Sequence, residues 1–213
     1  MTERPRVRRE QRNTVIRNRV ALFLSAVFQP PVTVAVLLLL SPVVEPGFPG
    51  TAWFGALAVL FVCVLPFAAV LLLVRLGKIT DHHVSDRRQR APVTAMALLS
   101  LLAGLGLLTV VNAPVSVIVT VLAIVGSVVV LGVISVFWKI SGHAGAAALS
   151  TAIAVLMLGA PWIPLMLLIP AVCWSRVVLH AHTAAQVVMG ALVGGGVAAG
   201  LWLLLREAMI RAG

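Results

Sequence analysis

The chain has 213 residues, 61% of them hydrophobic and 10% charged, with a mean hydropathy of +1.12. That composition excludes a soluble domain that hides its apolar residues in one core, and it points to an all-α, polytopic transmembrane helical bundle of about six to seven spans. The net charge of +10 gathers in an N-terminal arm and in polar loops between apolar runs, with no aromatic-interleaved basic face, so no nucleic-acid partner is expected.

Residues 1–19 carry Arg4, Arg6, Arg8, Arg9, Arg12, Arg17 and Arg19 against only Glu3 and Glu10. This arm leads into a full-length span, unlike a cleaved signal peptide. The positive-inside tendency assigns it to the cytoplasm, where it also suits anionic lipid headgroups. Residues 20–213 read as a single transmembrane domain. The first span, residues 20–44, should kink at Gln29-Pro30-Pro31, and the Pro-rich loop of residues 41–50 holds Glu45 but no Lys or Arg, as expected outside. Residues 52–74 form the second span and return the chain to the cytoplasm at Arg75.

A polar loop over residues 78–90 follows. Residues 93–138 are then uncharged and broken at Asn112-Ala113-Pro114, which reads as a hairpin of two spans that brings Lys139 back to the side of Lys78. Residues 144–174 are also uncharged, with a break at Gly159-Ala160-Pro161 and further prolines at 164 and 170. As two short spans they keep His143 and His182 on one face; as one span they separate them. Residues 183–205 form the last span, and its Gly190, Gly194, Gly195, Gly196 and Gly200 suit close helix packing better than phosphate binding. Cys63 and Cys173 lie in apolar runs without CxxC spacing, and read as small buried hydrophobes.

The chemistry-bearing residues sit where apolar runs end. Cations close to hydrocarbon are costly unless paired, wetted or holding an anion. A lone Lys139 snorkelling to the interface needs no further reason, but two histidines, an arginine and a Ser-Gly pair at neighbouring turns suggest an anion site. Ser141-Gly142-His143 and Ser175-Arg176, five residues, then His182 resemble the second and third signature motifs of the type 2 phosphatidic acid phosphatase (PAP2) superfamily. Lys78 through Pro92 resembles its first motif, Lys, six residues, Arg-Pro, with longer spacing; Arg87 and Arg90 are the better matches for its arginine.

That resemblance implies a PAP2-like helical core and a lipid phosphate substrate. It also implies a metal-independent route through a phosphohistidine, with no cofactor. His182 would be the nucleophile and His143 the acid and base, while Lys78, Arg87, Arg90, Ser141, Gly142 and Arg176 would cage the phosphate. Gln186 stands where the motif has Asp. At i+4 from His182 its amide oxygen can accept the imidazole N–H, but it lacks the negative charge, which Asp81 or Asp86 would have to supply; His83 is a further candidate for support. His82 and His180 have weaker claims.

The expected function is hydrolysis of a phosphate monoester or diphosphate of a polyprenyl or glycerolipid. The membrane would be the plasma membrane, with the site on its cytoplasmic face. Two alternatives stay open: a non-hydrolytic lipid-phosphate binder or transporter on the same scaffold, and a phosphotransferase to an acceptor alcohol. The sequence leaves the oligomeric state undetermined. The orientation predicts that a cysteine replacing Ser85 resists an impermeant thiol reagent applied from outside while one replacing Phe48 reacts; the reverse pattern overturns it.

Overall fold

A computed structural model describes residues 3–43, 50–79 and 87–212, and every regular element among them is helical. Apolar runs within hydrocarbon have no water for their backbone N–H and C=O groups, so they close those bonds inside helices. The chain turns where its sequence withholds a donor or enters the left-handed region.

α1 (Glu3–Val27) gives way to α2 (Pro30–Leu40) through Gln29, an extended N-cap with Pro30 and Pro31 in the turn that follows. Proline is tolerated there because those first N–H groups have no intrahelical acceptor. The expected kink is present as a 46° bend between Gln11–Val27 and Pro30–Val43. Across residue 19 α1 runs unbroken from the basic arm into the apolar stretch. Arginine is a strong helix former, and nothing in residues 11–27 stops the helix.

The second span is continuous over Ala52–Arg75, as α3 (Ala52–Val59), a π-helical segment (Leu60–Val64) and α4 (Leu65–Arg75). The Leu65 N–H reaches back to the Leu60 carbonyl, and Pro66 has no N–H to offer the next one. The Phe61 carbonyl thus loses its helical donor. Ser100 Oγ supplies one at 2.6 Å. This bond docks α5 (Arg87–Val110) on the π segment, with Gly104 one turn further on facing the Phe61 ring.

α4 ends in a Schellman motif, with Gly77 at φ 68° and the Lys78 N–H on the Leu73 carbonyl at 2.9 Å. The turn from α5 to α6 (Val115–Phe137) repeats it with Asn112 at φ 55° and Ala113 N–H on the Leu108 carbonyl. The hairpin expected over residues 93–138 is therefore observed. Its first helix begins earlier than expected: Arg87, Arg90 and Pro92 lie in the opening turns of α5, not in a loop.

α7 (Gly142–Leu158) stops at Gly159, whose φ is 88°, and a proline-rich 3-10 segment (Ala160–Leu167) leads into α8 (Leu168–Val178). The chain thus passes twice over residues 144–174, and the two-span alternative holds. Among the described residues five helices are long and apolar enough to cross a membrane, or six with the bent pair, and Gly142–Leu158 falls just short of that length. The protein is a multi-pass membrane protein. Its outer surface is apolar, with Phe137 78% and Leu167 71% exposed.

α9 (Ala184–Ala212) packs along both α6 and α7. Trp202 Nε1 donates to Thr120 Oγ1 on α6 at 3.2 Å within the core. Against α7 the approach is closer: a Cβ on Gly194 would lie 2.6 Å from the Gly145 Cα. Cys63 is buried and Cys173 half-buried, both free, as expected of small hydrophobes. Gly194→Val should therefore destabilise the protein by about 1–3 kcal/mol or more in detergent unfolding, while Gly196→Ala, whose Cβ meets nothing within 4 Å, should leave the midpoint unchanged.

Candidate functional site

α6 ends at Phe137 and the chain runs extended through Trp138 towards Ser141, the N-cap of α7. Ser141 is fully buried, and its Oγ accepts the Ala144 N–H at 3.4 Å. The Gly142 N–H lies in the first turn of α7, at the positive end of the helix dipole. Gly142 is exposed, and a Cβ there would meet nothing within 4 Å. An anion can therefore approach the backbone closely. His143 is half-buried on the same turn.

The other half of the site is a helix end folded back on itself. Ser175, fully buried, spends its hydroxyl on the Val172 carbonyl at 2.7 Å. α8 then closes in a third Schellman motif, with His180 at φ 52° and the Ala181 N–H on the Arg176 carbonyl at 3.1 Å. The His182 N–H reaches the same carbonyl at 3.3 Å. The five residues between Arg176 and His182 thus form a loop whose ends meet, and His180 is used for its backbone.

Thr183 begins α9 with a capping box. Gln186 N–H donates to Thr183 Oγ1 at 3.4 Å, and Thr183 N–H donates to Gln186 Oε1 at 3.1 Å. His182 Nδ1 lies 3.2 Å from that same oxygen. Because Oε1 already accepts from a backbone amide, it is the carbonyl end of the side chain and can only accept from the ring. His182 therefore presents a protonated Nδ1 to Gln186, which turns Nε2 to the opposite edge of the ring.

The two halves are bonded together. Ser141 N–H donates to the Gln186 carbonyl at 3.3 Å, and a Cβ on Gly190 would lie 2.6 Å from the Ser141 carbonyl oxygen. Ser141, Gly142, His143, Arg176, His182 and Gln186 are brought to one end of the bundle. Arg176 Nη1 donates to Ser25 Oγ on α1 at 2.6 Å, while its Nε is buried with no hydrogen-bond partner.

The first motif is less complete. Lys78 is exposed at the end of α4, and no hydrogen bond among the described residues joins it to Ser141 or His182. Arg87 and Arg90 lie on the first turns of α5, but their side chains, with Asp81, His82, His83 and Asp86, lie outside the described residues. Among the described residues no three His, Cys, Asp or Glu side chains gather as metal ligands. Sequence reasoning missed Ser25, for which there is no local signal, and Thr183, for which the Thr-x-x-Gln spacing of a capping box is a legible one.

A sequence model of the PAP2 superfamily matches residues 132–210. Over that segment the chain is similar to the PAP2 superfamily. The PAP2 match takes in the end of α6, all of α7 and α8 and most of α9, and with them both halves of the bonded site. Lys78 and the start of α5 fall outside it. Comparison with curated proteins and with solved structures gives no match to either. Gln186→Ala should lower stability by about 1 kcal/mol through loss of the capping box, and Gln186→Glu, which keeps both acceptor bonds, should not; chemical unfolding in mixed micelles measures both.

Proposed function

We propose that the protein is an integral-membrane lipid phosphatase, hydrolysing a phosphate monoester or diphosphate of a polyprenyl or glycerolipid through a phosphohistidine at His182. PAP2 members are generally phosphatases, and the membrane setting favours a lipid-phosphate substrate. The observation that carries the reading is the bonding at Gln186 Oε1, which receives both the Thr183 N–H and the His182 ring and so orients that imidazole beside the start of α7.

A lipid phosphate bound at that helix start would put its equatorial oxygens against the Gly142 N–H and the Arg176 guanidinium. Arg87, Arg90 and Lys78 complete the cage from the α4–α5 side. His182 Nε2 attacks phosphorus in line, forming a P–N bond as the P–O bond to the lipid breaks. His143, protonated, gives its proton to the departing oxygen. Neutral His143 then takes a proton from water as the water oxygen attacks phosphorus. The P–N bond breaks, phosphate leaves, and both imidazoles return to their starting states. The cage supplies the charge that the transferring group needs, so the route calls for no cofactor.

In this reading Gln186 orients the nucleophile without pairing an imidazolium. Asp81, Asp86 or His83 would have to provide whatever further charge or proton relay the second step uses. The basic arm argues that the reacting face is the cytoplasmic side of the plasma membrane.

Phosphate release from defined lipid phosphates, with chelator present, tests the reading. His182→Ala should abolish release and His143→Ala should cut kcat by about 10²–10⁴-fold; a His182→Ala protein as active as wild type defeats the mechanism. The pH profile should be bell-shaped. Gln186→Glu should move its acidic limb upward by on the order of one pH unit, because a carboxylate favours imidazolium and delays the neutral nucleophile.

A further inference from the structure

Beneath the candidate site the bundle holds a partly enclosed cavity of about 250 Å³ with almost wholly apolar walls. On α7 it is lined by Ala147, Ser150, Thr151 and Ala154. These stand four, seven, eight and eleven residues after His143, so they share one helical face with it. At 1.5 Å per residue the lining begins roughly 6 Å below His143 and continues for about 10 Å more.

Two other helices repeat this arrangement. On α8 the cavity is lined by Leu168, two turns from Arg176 and on its face. At the α1–α2 bend it is lined by Phe28, one turn beyond Ser25, whose hydroxyl holds the Arg176 guanidinium. On all three helices, then, a polar residue at the site stands above cavity wall. The Thr151 hydroxyl is turned back on the Ala147 carbonyl at 2.8 Å, which leaves its methyl for the cavity.

We propose that this cavity is the binding site for the hydrocarbon nearest the phosphate, and that the ligand is a single-chain lipid phosphate. The proposal deepens the phosphatase reading and rests on it. A helix about 10 Å wide does not fit the space. The volume falls below the 300–1,000 Å³ usual for compact ligands, so it admits one chain and not a diacyl pair. An apolar hollow whose walls begin one helical turn from His143 and from Ser25 matches a molecule with a phosphate at one end and hydrocarbon directly behind it.

The experiment uses the full-length protein in detergent and two readouts. The first is photo-crosslinking with a long-chain alkyl phosphate carrying a diazirine about six carbons from the phosphate. The second is phosphate release from that alkyl phosphate, from butyl phosphate and from a diacylglycerol phosphate. Label should concentrate on residues 147–154 and the α1–α2 bend, and excess unlabelled alkyl phosphate should remove it. Ala154→Phe, which fills the deep end, should raise KM for the long-chain substrate at least about tenfold while kcat/KM for butyl phosphate stays within about twofold. If Ala154→Phe fails to fold, Ala154→Leu is a smaller filling of the same deep end and is read in the same way. Label spread over the exposed helix faces, equal losses on short and long substrates, or diacyl phosphate accepted as readily as the single chain would overturn the proposal. Specific label at residues 147–154 in a protein that releases no phosphate would keep the chain site and remove the phosphatase reading instead.

Discussion

The backbone contact between α7 and α9 is the constraint on which the rest depends. Gly190 and Gly194 have no side chain to hold the helices apart, so Ser141 and Gly145 press directly on α9 and the Ser141 N–H finds the Gln186 carbonyl. Within hydrocarbon there is little hydrophobic force to draw helices together. Small residues, van der Waals contact and hydrogen bonds must do so. The same contact fixes the register between the start of α7 and the start of α9. Two polar turns separated by about forty residues of chain are thereby held as one surface.

Around that contact, single side chains serve several ends. Gln186 Oε1 closes the capping box and holds the His182 ring through Nδ1, while the Gln186 backbone carbonyl receives Ser141. His180 takes the left-handed position that ends α8 and turns the chain so that His182 comes back over Arg176. The spacing of the third motif is therefore the length of chain that a helix end, one left-handed residue and a new helix start require. Its chemistry and its folding are one pattern.

Much of this was legible in the sequence. Hydropathy located the apolar helices, and the breakers at Gln29-Pro30-Pro31, Asn112-Ala113-Pro114 and Gly159-Ala160-Pro161 marked turns that exist, because missing N–H groups and left-handed backbone act locally. The i+4 relation of Gln186 to His182 was also local and came out as read. What the sequence could not carry was long-range: the Arg176–Ser25 bond, the Ser100 hydroxyl that answers the carbonyl orphaned by Pro66, and the choice between one pass and two over residues 144–174. Nor did it mark where α1 begins, since arginine lowers hydropathy without opposing a helix, so charge and backbone conformation part company along residues 11–19.

The uninterrupted course of α1 has a mechanical consequence. From the arginines at 12, 17 and 19 to Ser25 the backbone is one rod, and the first joint lies at residues 28–29, beyond the serine that grips Arg176. Whatever tilts or draws the exposed basic turns at the membrane surface is passed along that rod to the guanidinium before any bend can absorb it.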